Sequence, residues 1–141
     1  MKRSQTRCSR ELQDWAEARG LRGYHPLLGI GHDAPGITPP DKLRFDAAIP
    51  VDGPIRPGHR VGHQVVPESR YAMATHVGHY ATLPAAYGRL FERIAAMPTV
   101  HPAGPPAIEM YHENRIDAAL LFNHTDIYLP VIPKSNASVT P

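Results

Sequence analysis

Polar and apolar residues alternate through Ala107-Ile108-Glu109-Met110-Tyr111-His112-Glu113 with the two-residue period of a β-strand. Ile108, Met110 and His112 fall on one side, and Ala107, Glu109, Tyr111 and Glu113 on the other. The apolar pair Ile108 and Met110 marks the first side as the core side, which puts Glu109 on the opposite face. The same reading predicts strands over 27–31, 43–51, 61–66, 70–77 and 125–132, with Phe45, Ala47 and Ile49 sharing one side of the second. Helical spacing occurs twice. The first helix starts at Ser9 as N-cap and buries Leu12, Trp15 and Ala16 before Gly20 and Gly23 stop it. The second starts near Thr82, tolerates Pro84 in its first turn, packs Tyr87, Leu90, Phe91 and Ile94 on the sheet, and ends at Pro98. Stretches 33–41, 52–59, 67–69 and 100–106 read as connections, residues 1–8 as a disordered basic leader, and 133–141 as a frayed tail.

An internal repeat organises these elements. Residues 27–51 and 107–131 align without a gap at an offset of 80. Each block opens on an apolar pair, continues with His-acid (His32-Asp33, His112-Glu113) and closes on Asp-x-x-x-Pro-Val, as Asp46 to Val51 and Asp126 to Val131. The whole set in one register favours an α+β fold built of two copies of a helix-strand-strand unit. They form one domain over 9–132, with halves at 9–51 and 60–132. Shifted back by 80, the 70–77 strand would precede residue 1, so the first unit is expected to lack its opening strand. That reads either as a truncated form of a longer architecture or as divergence, with residues 2–8 standing in. The repeat counterparts of Glu109 and Tyr111 are Gly29 and Gly31. Pairing the units would set a carboxylate and an aromatic ring opposite positions without side chains. Space would remain between the halves, where small-molecule sites often lie.

Composition narrows the function classes. The chain has 141 residues, enough for one domain with a real core, and 42% hydrophobic against 20% charged residues mark it as globular. The net charge of +2 is concentrated at Lys2, Arg3, Arg7 and Arg10, too local for a nucleic-acid-binding face. Cys8 stands alone, so neither an internal disulfide nor a cysteine zinc cluster is expected. No apolar run approaches the roughly 20 residues of a membrane helix, and no signal segment follows the basic start, so the cytoplasm is the default compartment. Sixteen prolines imply short elements with firm turns. Nine histidines include the close pairs His59/His63 and His76/His79, but none shows helical metal-ligand spacing, and no metal or other cofactor is expected. Asp46 and Asp126 are read as structural hydrogen-bonding groups.

Several stretches resemble one family. Arg70-Tyr-Ala-Met-Ala-Thr-His-Val-Gly-His-Tyr80 followed by Leu83-Pro-Ala-Ala-Tyr87 is similar to the strand, Gly-x-Tyr turn and helix of the gyrase-inhibitor-like domain. That domain is also the effector-binding module of many AraC-type and MerR-type regulators. Further matches are His32-Asp-Ala-Pro35, Thr38-Pro-Pro-Asp-Lys-Leu-Arg-Phe-Asp46, Pro106-Ala-Ile-Glu-Met-Tyr111 and Thr125-Asp-Ile-Tyr-Leu-Pro130. The resemblance covers about residues 11–132. It implies two pseudo-repeated β-α-β-β units with antiparallel sheets around a central groove for amphipathic, often cationic or aromatic compounds, with the strand glutamate matched by Glu109 lying in it. Some relatives bind DNA gyrase; others hydrolyse strained cyclopropane-bearing compounds. The connection Asn114 to His124 departs from the pattern, carrying Arg-Ile-Asp-Ala-Ala-Leu-Leu-Phe as a short helix or an apolar lid.

For Glu109 two readings stand: a solvated or salt-bridged strand acid, or a counter-charge for a ligand cation in a desolvated hollow. The resemblance favours the second. The expected ligand site comprises Glu109, Tyr111, Tyr71, Tyr128, Gly29 and Gly31, with the tyrosines offering aromatic faces to a flat cation. The leading expectation is a binding module for effector sensing or for sequestration of a drug or toxin, working with a small-molecule ligand and a DNA-binding domain. One rival is a hydrolase of cyclopropyl electrophiles using Glu109 and Tyr111. Another is a protein that binds and inhibits DNA gyrase.

Overall fold

The chain forms, in order, α1 (Arg3–Ala18), β1 (Leu27–Gly31), β2 (Phe45–Ala48), β3 (Arg70–Val77), α2 (Leu83–Ala96), β4 (Val100–Pro102), β5 (Ala107–Tyr111) and β6 (His124–Pro133). The structure is a computed structural model and describes residues 3–21, 26–33, 38–53, 55–56, 58, 60–112 and 124–135. All strand pairs are antiparallel and belong to one six-stranded open sheet of order β2-β1-β5-β6-β3, with β4 pairing the C-terminal end of β6. The fold is α+β, and the two units share this single sheet instead of facing each other as separate ones.

The repeat is visible in the register. Leu28 pairs with Ala48 between β1 and β2, and their counterparts 80 positions on, Ile108 and Tyr128, pair between β5 and β6. The central β1–β5 pair joins the halves, and Gly29 lies directly opposite Glu109, its own counterpart. A pseudo-twofold axis therefore passes between these two residues.

Both helices cover one face. Its core contains Leu12, Trp15 and Ala16 of α1 and Leu83, Ala86, Leu90 and Ile94 of α2. These pack on Leu27, Ala107, Tyr111, Ile127, Leu129 and Val131 of the strands. Leu27, Ile94 and Ile127 are almost wholly withdrawn from solvent, each stabilising the fold by about 1.5–3 kcal/mol. α1 sits over β2, and α2 over β3 and β4, so the central strands β1 and β5 run between the two helices.

This arrangement corrects the expected faces of β5. Ala107 and Tyr111 are buried against the helices, so the side they share with Glu109 is the core side, while Ile108 and Met110 are half-buried on the other. Both faces of this strand are substantially covered, and apolar character at Ile108 and Met110 does not identify the helix-bearing one.

Other boundaries also move. α1 begins at Arg3, not Ser9, since no proline or glycine interrupts residues 3–8. Ser9 is thus an interior helical residue, 2% exposed, with an Oγ that lacks a partner among the described residues. The 43–51 strand contracts to β2. Residues 62–69 form no strand; Val61 makes only an isolated bridge to Gly58. β4 occurs inside a stretch expected to be irregular, and its Val100 is partly buried against the core. A 3-10 turn over Tyr80–Thr82 precedes α2, and the Thr82 hydroxyl donates to the His79 carbonyl at 2.8 Å instead of capping the helix. Residues 1–2, the tail beyond 135, and the proposed lid apart from His124 lie outside the described residues. Among the described residues, no helix is long and apolar enough to cross a membrane.

Candidate functional site

Glu109 occupies the middle of β5, at the centre of the sheet and on the helix-covered face. The Tyr111 hydroxyl, two residues along the same face, donates to Glu109 Oε2 at 3.1 Å. Tyr87 reaches down from α2 to hydrogen-bond the same carboxyl. Burial pushes the Glu109 carboxyl above the usual carboxylate range, against the opposing pull of the two tyrosine hydroxyls and, last, of the positive charge at the chain's amino terminus. The Tyr87 hydroxyl is itself held far above its usual value, first by burial and then by the neighbouring carboxylate. Among the described residues, no lysine, arginine or histidine forms an ion pair with Glu109. Glu109 as a residue nevertheless keeps partial solvent access and is not sealed wholly into the core.

Gly29 faces Glu109 across the β1–β5 pair. An added Cβ there would lie 2.4 Å from Phe45 Cε2 and 2.7 Å from the Tyr111 hydroxyl. The Phe45 ring and the Tyr111 hydroxyl therefore lie together above Gly29, filling the place its side chain would take. Gly31 plays a different part. It pairs with Ala107, and its Cβ position is in ordinary contact range of the Ala107 carbonyl, so it opens no space beside Tyr111.

A groove of about 1510 Å³ lies on the far side of Phe45. Leu12 and Trp15 of α1, the β2 strand with Ile49, and the irregular segment 60–66 line it. The repeat explains why the groove is there. In the second half, β3 pairs along the outer side of β6, whereas β2, the counterpart of β6, has no strand on its outer side among the described residues. Phe45 belongs to both places, lining the groove and covering Gly29.

The structure does not bring all the expected site residues together. Tyr71 and Tyr128 form an edge-to-face pair, with centroids 6.3 Å apart and planes at 88°, on the face opposite Glu109. Burial, followed by the Asp126 charge, raises the Tyr128 hydroxyl above its usual value. The same face carries two repeat-related pairs. His32 Nε2 lies 2.6 Å from Asp46 Oδ2, and His112 Nε2 lies 2.7 Å from Asp126 Oδ2. Asp126 also accepts from the Thr75 hydroxyl at 2.6 Å, and Asp46 from the Gln64 amide at 3.3 Å. These aspartates hold the strand ends together, as their repeated Asp-x-x-x-Pro-Val setting suggests. Sequence reasoning placed Tyr87 and Phe45 as packing residues only. For Tyr87, the overlooked signal was a buried phenol, whose hydroxyl needs a hydrogen-bond partner.

The site is thus a partly desolvated carboxyl with two phenolic donors, an aromatic wall and an adjoining apolar groove. It is suited to holding a small organic molecule. No curated protein matches the chain. The model of one family, described as the GyrI-like small molecule binding domain, matches residues 9–132. That match spans nearly all of the chain, which therefore belongs to the GyrI-like small-molecule-binding family.

Proposed function

We propose that this domain binds a small amphipathic cation, with Glu109 supplying the counter-charge and Tyr111, Tyr87 and Phe45 bounding the ligand's flat or apolar part. The observation that supports this is the carboxyl of Glu109, raised by burial and partnered among the described residues by hydroxyls alone. A carboxylate in such a place gains more from a cation than one in water. At an effective dielectric near 20, an ion pair about 4 Å apart is worth about 4 kcal/mol, against about 1 kcal/mol in bulk water. The hydroxyls keep Glu109 oriented but bring no full positive charge, so a bound cation adds stabilisation that they do not supply. Aromatic faces add roughly 0.5–2 kcal/mol where the cation lies over a ring.

Binding of this kind serves effector sensing or sequestration of a toxic compound. With a DNA-binding protein as partner, ligand-dependent association would separate the two roles. The site itself carries no observation in favour of DNA gyrase as a partner. Equilibrium binding of tetraphenylphosphonium and of neutral triphenylphosphine oxide, to the wild type and to Glu109→Gln, tests the proposal. The cation should bind the wild type better and lose at least about tenfold in the variant, close to 1.4 kcal/mol. Equal affinity of both proteins for the cation would remove the charge argument.

A second reading rests on the same two groups. A carboxyl whose hold on its proton is strengthened by burial, beside the Tyr111 hydroxyl, can act as a general acid in hydrolysis of a cyclopropyl electrophile. Turnover by the wild type that is lost in Glu109→Gln would establish it.

A further inference from the structure

Phe45 stands between two spaces. On one side its ring lines the groove bounded by α1, β2 and residues 60–66. On the other, its Cε2 lies over Gly29, beside the hydroxyl that hydrogen-bonds Glu109. Glu109 is not among the residues that line the groove, whereas Phe45 both lines it and lies over Gly29, which faces Glu109 across the β1–β5 pair. The groups lying over Gly29 are side-chain tips, the Phe45 ring and the Tyr111 hydroxyl.

Resting on Glu109 as the cation receptor, we infer that Phe45 is a specificity-determining partition. The ligand's apolar body occupies the groove, and its charged end reaches Glu109 by displacing the Phe45 ring from above Gly29. Three observations support this assignment. Phe45 is on a sheet-end strand and only partly buried, so its ring has somewhere to go. Gly29 leaves a lane that any other residue would block. The groove offers about 1510 Å³ to an apolar body, whereas the Glu109 carboxyl is closely attended by Tyr111 and Tyr87, with the Phe45 ring over the facing Gly29. The favoured ligand class is an elongated amphipathic cation with a slender charged end. A ligand with a bulky charged centre is disfavoured until the ring is removed, because its affinity is reduced by the small fraction of molecules in which the ring has swung aside.

Trp15, the single tryptophan, lines the same groove and reports occupancy by its fluorescence. The test titrates decyltrimethylammonium, slender at its charged end, and tetraphenylphosphonium, bulky around its charge, into wild type, Phe45→Ala, Phe45→Leu and Glu109→Gln. Both cations should change Trp15 emission. Removal of the ring should shift the affinity ratio about tenfold towards tetraphenylphosphonium, with Phe45→Leu intermediate. Weaker binding of tetraphenylphosphonium by Phe45→Ala would make Phe45 a contact wall and overturn the partition. So would an unchanged ratio, or binding that depends on Glu109 while leaving Trp15 emission unmoved. Binding of both cations unaltered in Glu109→Gln would instead strike the charge reading, which separates the two failures.

Discussion

Gly29 and Glu109 face each other across the β1–β5 pair although they occupy the same position in the two halves of the repeat. One half contributes a carboxylate to the pseudo-twofold axis, and the other contributes nothing beyond Cα. In the proposed reading this asymmetry is what makes a duplicated scaffold a receptor, the place of the missing side chain being the route to the charge. Phe45 and Tyr111 fill it at present.

Gly29→Ala is expected to force the Phe45 ring and the Tyr111 hydroxyl aside, since its Cβ would fall 2.4 and 2.7 Å from them. Both are side-chain tips, so the cost belongs at the low end for overpacking, about 1 kcal/mol. Urea denaturation measures that cost. The same variant should weaken cation binding by narrowing the hollow.

A pH profile of stability isolates Glu109. Its folded-state value is raised, so its contribution to stability is fully present below the unfolded carboxyl value and is lost as pH rises through the folded one. Glu109→Gln removes that loss. The variant should melt above the wild type at neutral pH by on the order of 1 kcal/mol. The difference should shrink and vanish as pH falls towards the ordinary glutamate range. A constant difference across pH would place Glu109 in a solvated setting.

The two histidine–aspartate pairs are equivalent in sequence but not in environment. The Asp126 side chain is 11% exposed and holds both His112 and Thr75, whereas that of Asp46 is 48% exposed. Asp126→Ala should therefore cost about 2 kcal/mol. Asp46→Ala should cost less than about 1 kcal/mol, as for exposed pairs. Chemical denaturation of the two variants gives the comparison directly.

Much of this was legible before the fold was known. The gapless repeat foretold the matched registers, and the alternation over Arg70–Val77 gave β3 with its observed ends. Three features were not legible, each for a physical reason. The face of Glu109 was misread because both sides of β5 are covered, leaving Ile108 and Met110 as apolar as a core side would be. Val61–Val66 carries β-branched residues but no strand, because strand propensity expresses packing against neighbours and most of this segment is exposed. Tyr87, Phe45 and the groove depend on how α2, β2 and α1 meet, which periodicity along a single element does not encode. The equal weight given to Tyr71 and Tyr128 failed similarly, since their strands present them to the other face.

Calorimetric titration of the wild type with decyltrimethylammonium, in two buffers of different ionisation enthalpy, tests the receptor most directly. A cation favours the ionised form of Glu109, so binding below its raised value should expel protons, and affinity should climb as pH increases through that value and then level off. Glu109→Gln should bind weakly with no buffer dependence. Proton release and affinity identical in the two proteins would contradict the account.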